Sequence, residues 1–182
     1  MGGSEGDISV ACFYCEFAAQ KEQSAATVLA GLLKQVVSGF RPIPKEIKDA
    51  FQKCEEAGGQ RLQLPEMVKL LGNLASMRRT FLCLDALDEC TATDRAKIFL
   101  SLKDIIKMSP TARVFLTGRP HVGGEVGRHL GGGVASVLIS PRKDDIIQYI
   151  HAKLAEDATS DEMDEGLEAE IVQTIPETVA EM

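Results

Sequence analysis

Four short apolar runs punctuate the chain. They are Ile8–Cys15, Thr80–Asp85, Ala112–Thr117 and Ser136–Ser140. Each has the length of a strand and is rich in β-branched or aromatic residues, and a continuous apolar run is typical of a strand buried on both faces of a parallel sheet. The pattern therefore predicts four buried strands.

The segments between these runs predict amphipathic helices, because their apolar residues recur three and four positions apart. The expected helices cover residues 23–40, 44–58, 65–79 and 93–106. Pro44 suits a first helical position, and Thr93 or Asp94 offers an N-cap for the fourth helix. Strands that alternate with helices indicate an α/β domain with a parallel sheet, in which ligands bind beyond the carboxyl ends of the strands.

The pattern is weaker in the last third of the chain. A Gly-rich segment, Val122–Gly133, leads to the fourth apolar run, and a further helix is expected after Pro141. An acidic stretch comes next, followed by a weak helix from about Met163 to Ile175. Beyond the fourth apolar run, the pattern predicts helices and no further strand.

Charge is distributed unevenly along the 182 residues, of which 45% are hydrophobic and 26% charged. The net charge is −7, yet the last 29 residues hold ten carboxylates and no Lys or Arg, and the preceding 153 carry +3. This balance argues against a protein that wraps nucleic acid. No run approaches the roughly 20 apolar residues of a membrane span, and no secretory signal is present. We therefore expect a soluble, cytoplasmic protein.

Five cysteines include one C-x-x-C pair, Cys12 and Cys15. Residues three apart on a strand point to opposite faces, so the two thiols are not placed to share one metal or form one disulfide. No second C-x-x-C or Cys/His pair accompanies them. Reduced, buried thiols are therefore the favoured interpretation over a zinc or redox site.

Polar residues follow two of the apolar runs and are candidates for chemistry. Asp85, Asp88 and Glu89 end the second run, while Thr117 and Arg119 end the third. Three carboxylates at this spacing are close enough to share one hard cation such as Mg²⁺, and an acid beside the cation can orient an attacking water. The alternative is that these acids begin a solvated loop.

Several segments resemble one family. Phe81–Cys90 resembles the Walker B segment of the NACHT NTPases, a branch of the STAND class of signalling ATPases. Val114–Pro120 is similar to their sensor 1 strand, which usually ends Thr-Ser-Arg-Pro, so Gly118 departs from the pattern. Val10–Phe17 and Ser24–Val37 resemble the strand 2 region of fungal NACHT proteins, also described as nephrocystin-like N-terminal domains.

The resemblance implies roles for the candidate residues. Asp85 would be the Walker B acid that holds Mg²⁺ through water, and Asp88 and Glu89 would polarise or position water. Thr117 and Arg119 would belong to sensor 1, with Arg119 sensing the γ-phosphate of ATP or GTP. Alternatively, Arg119 closes the strand end by pairing with Asp88 or Glu89, and both interpretations can hold.

One motif of the family is absent from this sequence. Phosphate binding needs G-x-x-x-x-G-K-[ST], and the chain contains no Gly-Lys dipeptide. The resemblance thus implies a three-layer P-loop NTPase-like sheet that is incomplete because its first strand is missing. That strand would lie between Val114–Thr117 and Val137–Ser140, so we expect either direct pairing of these two strands or a marginal fold that aggregates. Residues 1–140 would form this core and residues 141–182 the start of an acidic helical domain.

The first functional hypothesis is a NACHT/STAND nucleotide-binding signalling domain, truncated at both ends, that retains Walker B and sensor 1. Without the phosphate loop it is expected not to hydrolyse nucleotide and to bind little of it. Its expected partners are other signalling proteins or further copies of itself, not nucleic acid or a membrane. The alternative is a non-catalytic protein-interaction module that docks through sheet edges or the acidic tail. A hydrolase of another kind is disfavoured, because the scattered His121, His129 and His151 form no nucleophile or metal pattern.

Overall fold

The computed structural model describes residues 8–131, 133–156 and 165–180. The chain divides into two units, residues 1–136 and 137–182. The first unit contains the parallel strands β1 (Ile8–Tyr14), β2 (Arg79–Asp85) and β3 (Arg113–Leu116) in that spatial order. Its helices are α1 (Ala25–Ser38), α2 (Lys45–Glu56), α3 (Leu64–Met77), α4 (Ala92–Met108) and α5 (Pro120–Leu130). The second unit contains α6 (Lys143–Glu156) and α7 (Glu165–Ala180). No helix in these ranges is both long and apolar enough to cross a membrane.

The first three expected strands and the helices between them are present, and the starts of two helices differ from the prediction. Pro44 is the N-cap of α2 and not its first residue. Thr91, not Thr93 or Asp94, caps α4, because its hydroxyl accepts a hydrogen bond from the backbone N–H of Asp94 at 3.1 Å. The Asp94 carboxylate accepts a hydrogen bond from the Thr91 hydroxyl at 2.8 Å and another from the N–H of Ala25 at 3.1 Å. Asp94 therefore connects the start of α4 to the start of α1.

The two faces of the sheet have different surroundings. Helices α1 and α3 contact β1 and β2 on the face that buries Ala11, Leu82 and Leu84. On the opposite face, hereafter the open face, Val10 is 57% exposed and Phe115 is 59% exposed. The prediction that the runs are buried on both faces is therefore wrong, and so is the three-layer arrangement for the described part of this unit. Successive side chains alternate between faces, and helices cover one face.

The open face is defined by side chains that alternate with the buried ones along the three strands. It consists of Ile8, Val10, Cys12, Tyr14, Phe81, Cys83 and Phe115. The ring of Phe81 stacks on that of Phe115, with centroids 6.3 Å apart. Monomeric proteins rarely expose large contiguous apolar patches of this kind.

The outer edge of β1 is closed by one side chain. Gln35 of α1 accepts a hydrogen bond from the N–H of Cys12 at 3.0 Å and donates one to its carbonyl at 2.7 Å. An edge strand offers unpaired backbone groups to other chains, and the Gln35 amide occupies two of them here.

The expected fourth strand, Ser136–Ser140, is not formed. Residues 134–140 have no regular secondary structure, and Val137, Leu138 and Ile139 are 82%, 75% and 88% exposed. Direct pairing with β3 is likewise absent, since β3 pairs with β2 alone in the described residues. A strand needs a neighbour for its backbone hydrogen bonds, and apolar composition by itself supplies none.

The Gly-rich segment after β3 forms the helix α5. Pro120 occupies the first turn, where its missing N–H costs nothing, and Val122 is 3% exposed against the core. The helix ends at Gly131, whose φ of 80° favours glycine. The helices expected after Pro141 and from about Met163 are present as α6 and α7, although the acidic stretch and Met163 lie outside the described residues.

Candidate functional site

The candidate residues meet at the carboxyl ends of β2 and β3. Backbone hydrogen bonds of 3.0 Å continue the pairing beyond the strands, from the N–H of Thr117 to the carbonyl of Leu84 and from the N–H of Leu87 to the carbonyl of Thr117. The two strand ends are therefore held at a fixed separation, and the side chains that follow them lie close together.

Thr117 orients the acid that ends β2. Its hydroxyl donates to Oδ1 of Asp85 at 2.5 Å and accepts from the N–H of Ala86 at 3.0 Å. A threonine hydroxyl with both roles satisfied has one orientation, so the Asp85 carboxylate has a fixed position. Asp85 itself remains exposed at the end of the strand.

A sharp turn after Asp85 places the other two acids. Ala86 is left-handed, with φ 53° and ψ 48°, and the 3₁₀ turn Leu87–Glu89 follows. Leu87 is fully buried and anchors this turn in the core. The carboxylates of Asp88 and Glu89 consequently face the residues that follow β3.

Arg119 pairs with both of these acids. Its N–H donates to Oδ1 of Asp88 at 3.2 Å, its Nε lies 3.1 Å from Oδ2 of Asp88, and its Nη2 lies 3.6 Å from Oε1 of Glu89. The Asp88 side chain is 7% exposed and that of Arg119 is 72% exposed. The pairing alternative for Arg119 is thus confirmed and the solvated-loop alternative is wrong for Asp88, while contact of Arg119 with a phosphate stays a prediction.

The acids do not form a shared cation site. Among the described residues, no three His, Cys, Asp or Glu side chains converge as metal ligands would. The expectation that Asp85, Asp88 and Glu89 share one cation is wrong, because Thr117 binds the first and Arg119 binds the other two. The arrangement fits a cation that keeps most of its water and meets one carboxylate, Asp85, as Mg²⁺ does.

Arg95 of α4 forms hydrogen bonds that connect the acidic turn to α5. The sequence analysis did not identify this residue. Its Nη1 donates to the carbonyl of Cys90 at 2.9 Å, while Nε and Nη2 each bind a carboxylate oxygen of Glu125 in α5 at 2.7 Å. The hydrogen bond from Arg95 lowers the pKa of Glu125, and the same bond raises the pKa of Arg95. A charged residue three positions before Ile98, on the apolar stripe of α4, is the signal that could have revealed it.

Comparison of the sequence with known protein families identifies the family of this chain. Residues 3–119, more than half of the chain, match the family described as nephrocystin 3, N-terminal. The chain belongs to this family. Every candidate site residue lies inside the matched range of the nephrocystin 3 N-terminal family, and Arg119 is its last residue.

One solved structure is similar to this family member, the Walker-type ATPase PABY2304 of Pyrococcus abyssi. The sequences are 14% identical, the TM-score is 0.51, and the match covers 94% of this chain and 53% of the ATPase. The chain therefore spans about half of that protein's length, and the likeness concerns the fold. The structural match shows that the fold of this chain resembles part of the fold of a Walker-type ATPase. No curated protein matches the sequence.

Two buried thiols lie directly behind the acidic turn of this nephrocystin 3 N-terminal domain. The Sγ atoms of Cys15 and Cys90 are 3.2 Å apart. The hydrogen bond between the thiols lowers the pKa of Cys90 and raises that of Cys15. Cys12 lies on the open face beside its register partner Cys83, which confirms that Cys12 and Cys15 point to opposite faces.

Proposed function

We propose that this chain supplies the Walker B and sensor 1 residues of a NACHT-type, STAND-class nucleotide-binding signalling domain. The observation that carries the proposal is the contact between the Thr117 hydroxyl and the Asp85 carboxylate across two neighbouring strand ends. It fixes an exposed acid where parallel α/β sheets bind their ligands. The ion-paired Arg119 lies at the same edge.

In this proposal, Asp85 holds the water shell of Mg²⁺, and Thr117 keeps its carboxylate in one orientation. When bound, the cation would neutralise phosphate oxygens of ATP or GTP. Asp88 and Glu89 hold the guanidinium of Arg119 at the strand end, and its 72% exposure leaves it accessible to an anion. A phosphate that draws Arg119 away would leave the two carboxylates free to accept hydrogen bonds from water.

The sequence lacks the lysine that reaches the β- and γ-phosphates, because it has no Gly-Lys dipeptide. We therefore expect the chain alone to release no phosphate from Mg-ATP or Mg-GTP. Calorimetric titration and a phosphate-release assay test this directly. Micromolar binding that disappears in Asp85→Ala would show that the site is functional without the loop and would overturn this part of the proposal.

A second experiment tests the Walker B assignment itself. Mapping the 5′ end of the native transcript shows whether an in-frame G-x-x-x-x-G-K-[ST] lies within about 50 codons upstream. If it does, the longer protein is expected to hydrolyse nucleotide, and Asp85→Asn or Glu89→Gln is expected to stop turnover. The exposed acid Asp104, which pairs with Lys107 on the surface, provides the matched control Asp104→Asn. Equal turnover in Asp85→Asn and the control would rule out the assignment.

The open face favours a second candidate function, a non-catalytic protein-interaction module whose partner is a second copy of the chain. The same apolar surface on two copies can pack about a two-fold axis. Light scattering coupled to size exclusion tests this at several protein concentrations. A monomer at all of them would count against the module, and a dimer that Val10→Lys dissociates would support it.

A further inference from the structure

Cys15 and Cys90 are brought together from positions 75 residues apart, with their Sγ atoms at 3.2 Å. They are 6% and 2% exposed. The sulfur atoms of a disulfide lie about 2.05 Å apart, so a bond between these two needs a movement of only about 1 Å. The distance is short enough for local relaxation to close it.

The backbone fixes both cysteines independently of their contact. The N–H of Cys15 donates to the carbonyl of Asp85 at 3.0 Å, which continues the pairing of β1 with β2. The N–H of Cys90 donates to the carbonyl of Leu87 at 3.1 Å, which closes the 3₁₀ turn. The carbonyl of Glu89 also accepts from the Gln20 side chain at 2.9 Å, so the loop after β1 is hydrogen-bonded directly to this turn.

We propose that Cys15 and Cys90 are an oxidative modification site, at which a peroxide converts the two thiols into a reversible disulfide. In the first step, one sulfur attacks a peroxide oxygen, the O–O bond breaks, and a sulfenic acid and one water form. In the second step, the other sulfur displaces the hydroxyl group, and the S–S bond and a second water form. Hydrogen peroxide gains the two electrons that the thiols lose.

The disulfide would connect the end of β1 to the turn that carries Asp88 and Glu89. It closes a long loop, which restricts the unfolded chain and stabilises the folded one. We expect the midpoint of thermal unfolding to rise by roughly 5–15 °C on oxidation. A thiol-reducing agent is expected to reverse this shift.

A competing pair makes the assignment of the bond important. Cys12 and Cys83 are register partners on the open face. Cleavage with trypsin does not separate the possibilities, because residues 1–21 contain both Cys12 and Cys15, and residues 80–95 contain both Cys83 and Cys90. Cleavage before aspartate does, because it leaves Cys90 in residues 88–93 and Cys83 in residues 49–84.

The experiment exposes the folded wild-type protein to hydrogen peroxide, blocks the remaining thiols with N-ethylmaleimide, cleaves before aspartate and measures peptide masses. The proposal expects peptide 88–93 joined to peptide 7–48, with a loss of about 2 Da and release by dithiothreitol. Cys83→Ser is expected to retain this product and the thermal shift, and Cys90→Ser to lose both. Peptide 88–93 found alkylated, carrying only added oxygen, or joined to peptide 49–84 would overturn the proposal.

Discussion

One hydroxyl group, that of Thr117, contacts both the carboxylate and the backbone at the end of β2. At the scale of single residues, this contact decides where Asp85 points. Its neighbour Gly118 matters for a different reason, because it departs from the serine that the NACHT resemblance leads one to expect. Both positions allow direct tests by substitution.

Thr117→Val removes the hydroxyl and keeps the shape of the side chain. The variant is expected to lose about 1 kcal/mol of unfolding free energy, because the Ala86 N–H and the Asp85 carboxylate lose their partner. Urea denaturation measures the change. Thr117→Ser keeps the hydroxyl and is expected to stay near wild type, so equal losses in the two variants would contradict the role given to this bond.

Gly118→Ser is expected to be tolerated. A Cβ at this position would lie 3.4 Å from Oδ1 of Asp88 and 3.6 Å from Cγ2 of Val122, which are ordinary contacts. Replacing a glycine without strain restricts the unfolded chain, so thermal unfolding should show a gain of roughly 0.4–1 kcal/mol. Gly131→Ala is the matched control: its φ of 80° predicts a loss of stability instead. A loss at both positions would show that Gly118 is required by its backbone.

At the scale of elements, α4 connects the acidic turn to α5. Arg95 joins them through the Cys90 carbonyl and the Glu125 carboxylate. The Arg95 side chain is 7% exposed and that of Glu125 is 20% exposed, so water competes poorly for either group. The position of the turn therefore depends on a helix that contributes no residue to the strand ends.

Glu125→Gln is expected to lower the unfolding free energy by about 1–3 kcal/mol, because it removes the charge that Arg95 meets inside the protein. Chemical denaturation at neutral pH measures it. Asp49→Asn, in the exposed pair Lys45–Asp49, provides the control and is expected to change stability by less than about 0.5 kcal/mol. Similar effects in both variants would mean that the Arg95 pair contributes no more than a surface pair.

The same pair predicts a pH dependence. The Arg95 hydrogen bond lowers the pKa of Glu125 from its ordinary value of 4.5, so the folded state binds fewer protons here than the unfolded state. The contribution is complete well above pH 4.5 and is lost as the pH falls through the lowered pKa of the folded state. The stability difference between wild type and Glu125→Gln should therefore shrink on acidification. A difference that stayed constant down to the lowest pH would contradict this.

The local hydrophobic pattern predicted the strands and helices well where these elements pack against one another. Leu82 and Leu84 lie on the helix-covered face, and the first three strands formed as their apolar runs indicated. The strand ends could be predicted as a candidate site because parallel sheets place such residues at one edge. Arg95 could not be assigned a role, since its partners come from residues 90 and 125 and follow from tertiary packing.

At the scale of the whole molecule, tertiary contacts determine whether an apolar segment becomes a buried strand. Val137 and Ile139 have strand-like composition but remain exposed, and no strand pairs with them among the residues that the structure describes. Val10 and Phe115 are also exposed, because the helices of this unit pack on the opposite face of the sheet. The composition of a segment indicates its preferred secondary structure, but its tertiary contacts determine whether that structure forms and is buried.

Combining Val10→Thr with Phe115→Thr is expected to reduce self-association at small cost, because both side chains are more than half exposed and threonine suits a strand. Light scattering and binding of a hydrophobic dye measure the change. Leu82→Ala, on the fully buried side, is the contrasting variant and should cost about 2–5 kcal/mol. A comparable cost in the double variant would show that the open face is covered in solution.

The left-handed conformation of Ala86 makes the acidic turn dependent on a segment that is distant in the sequence. This conformation costs alanine on the order of 1 kcal/mol, and hydrogen bonds from Ala86 and Leu87 to Thr117, a residue of another segment, hold it in place. A synthetic peptide of residues 79–95 lacks Thr117 and should not adopt the turn. Grafting residues Phe81–Cys90 onto another scaffold would thus transfer the acids without their arrangement. The graft would also need β3 and Thr117.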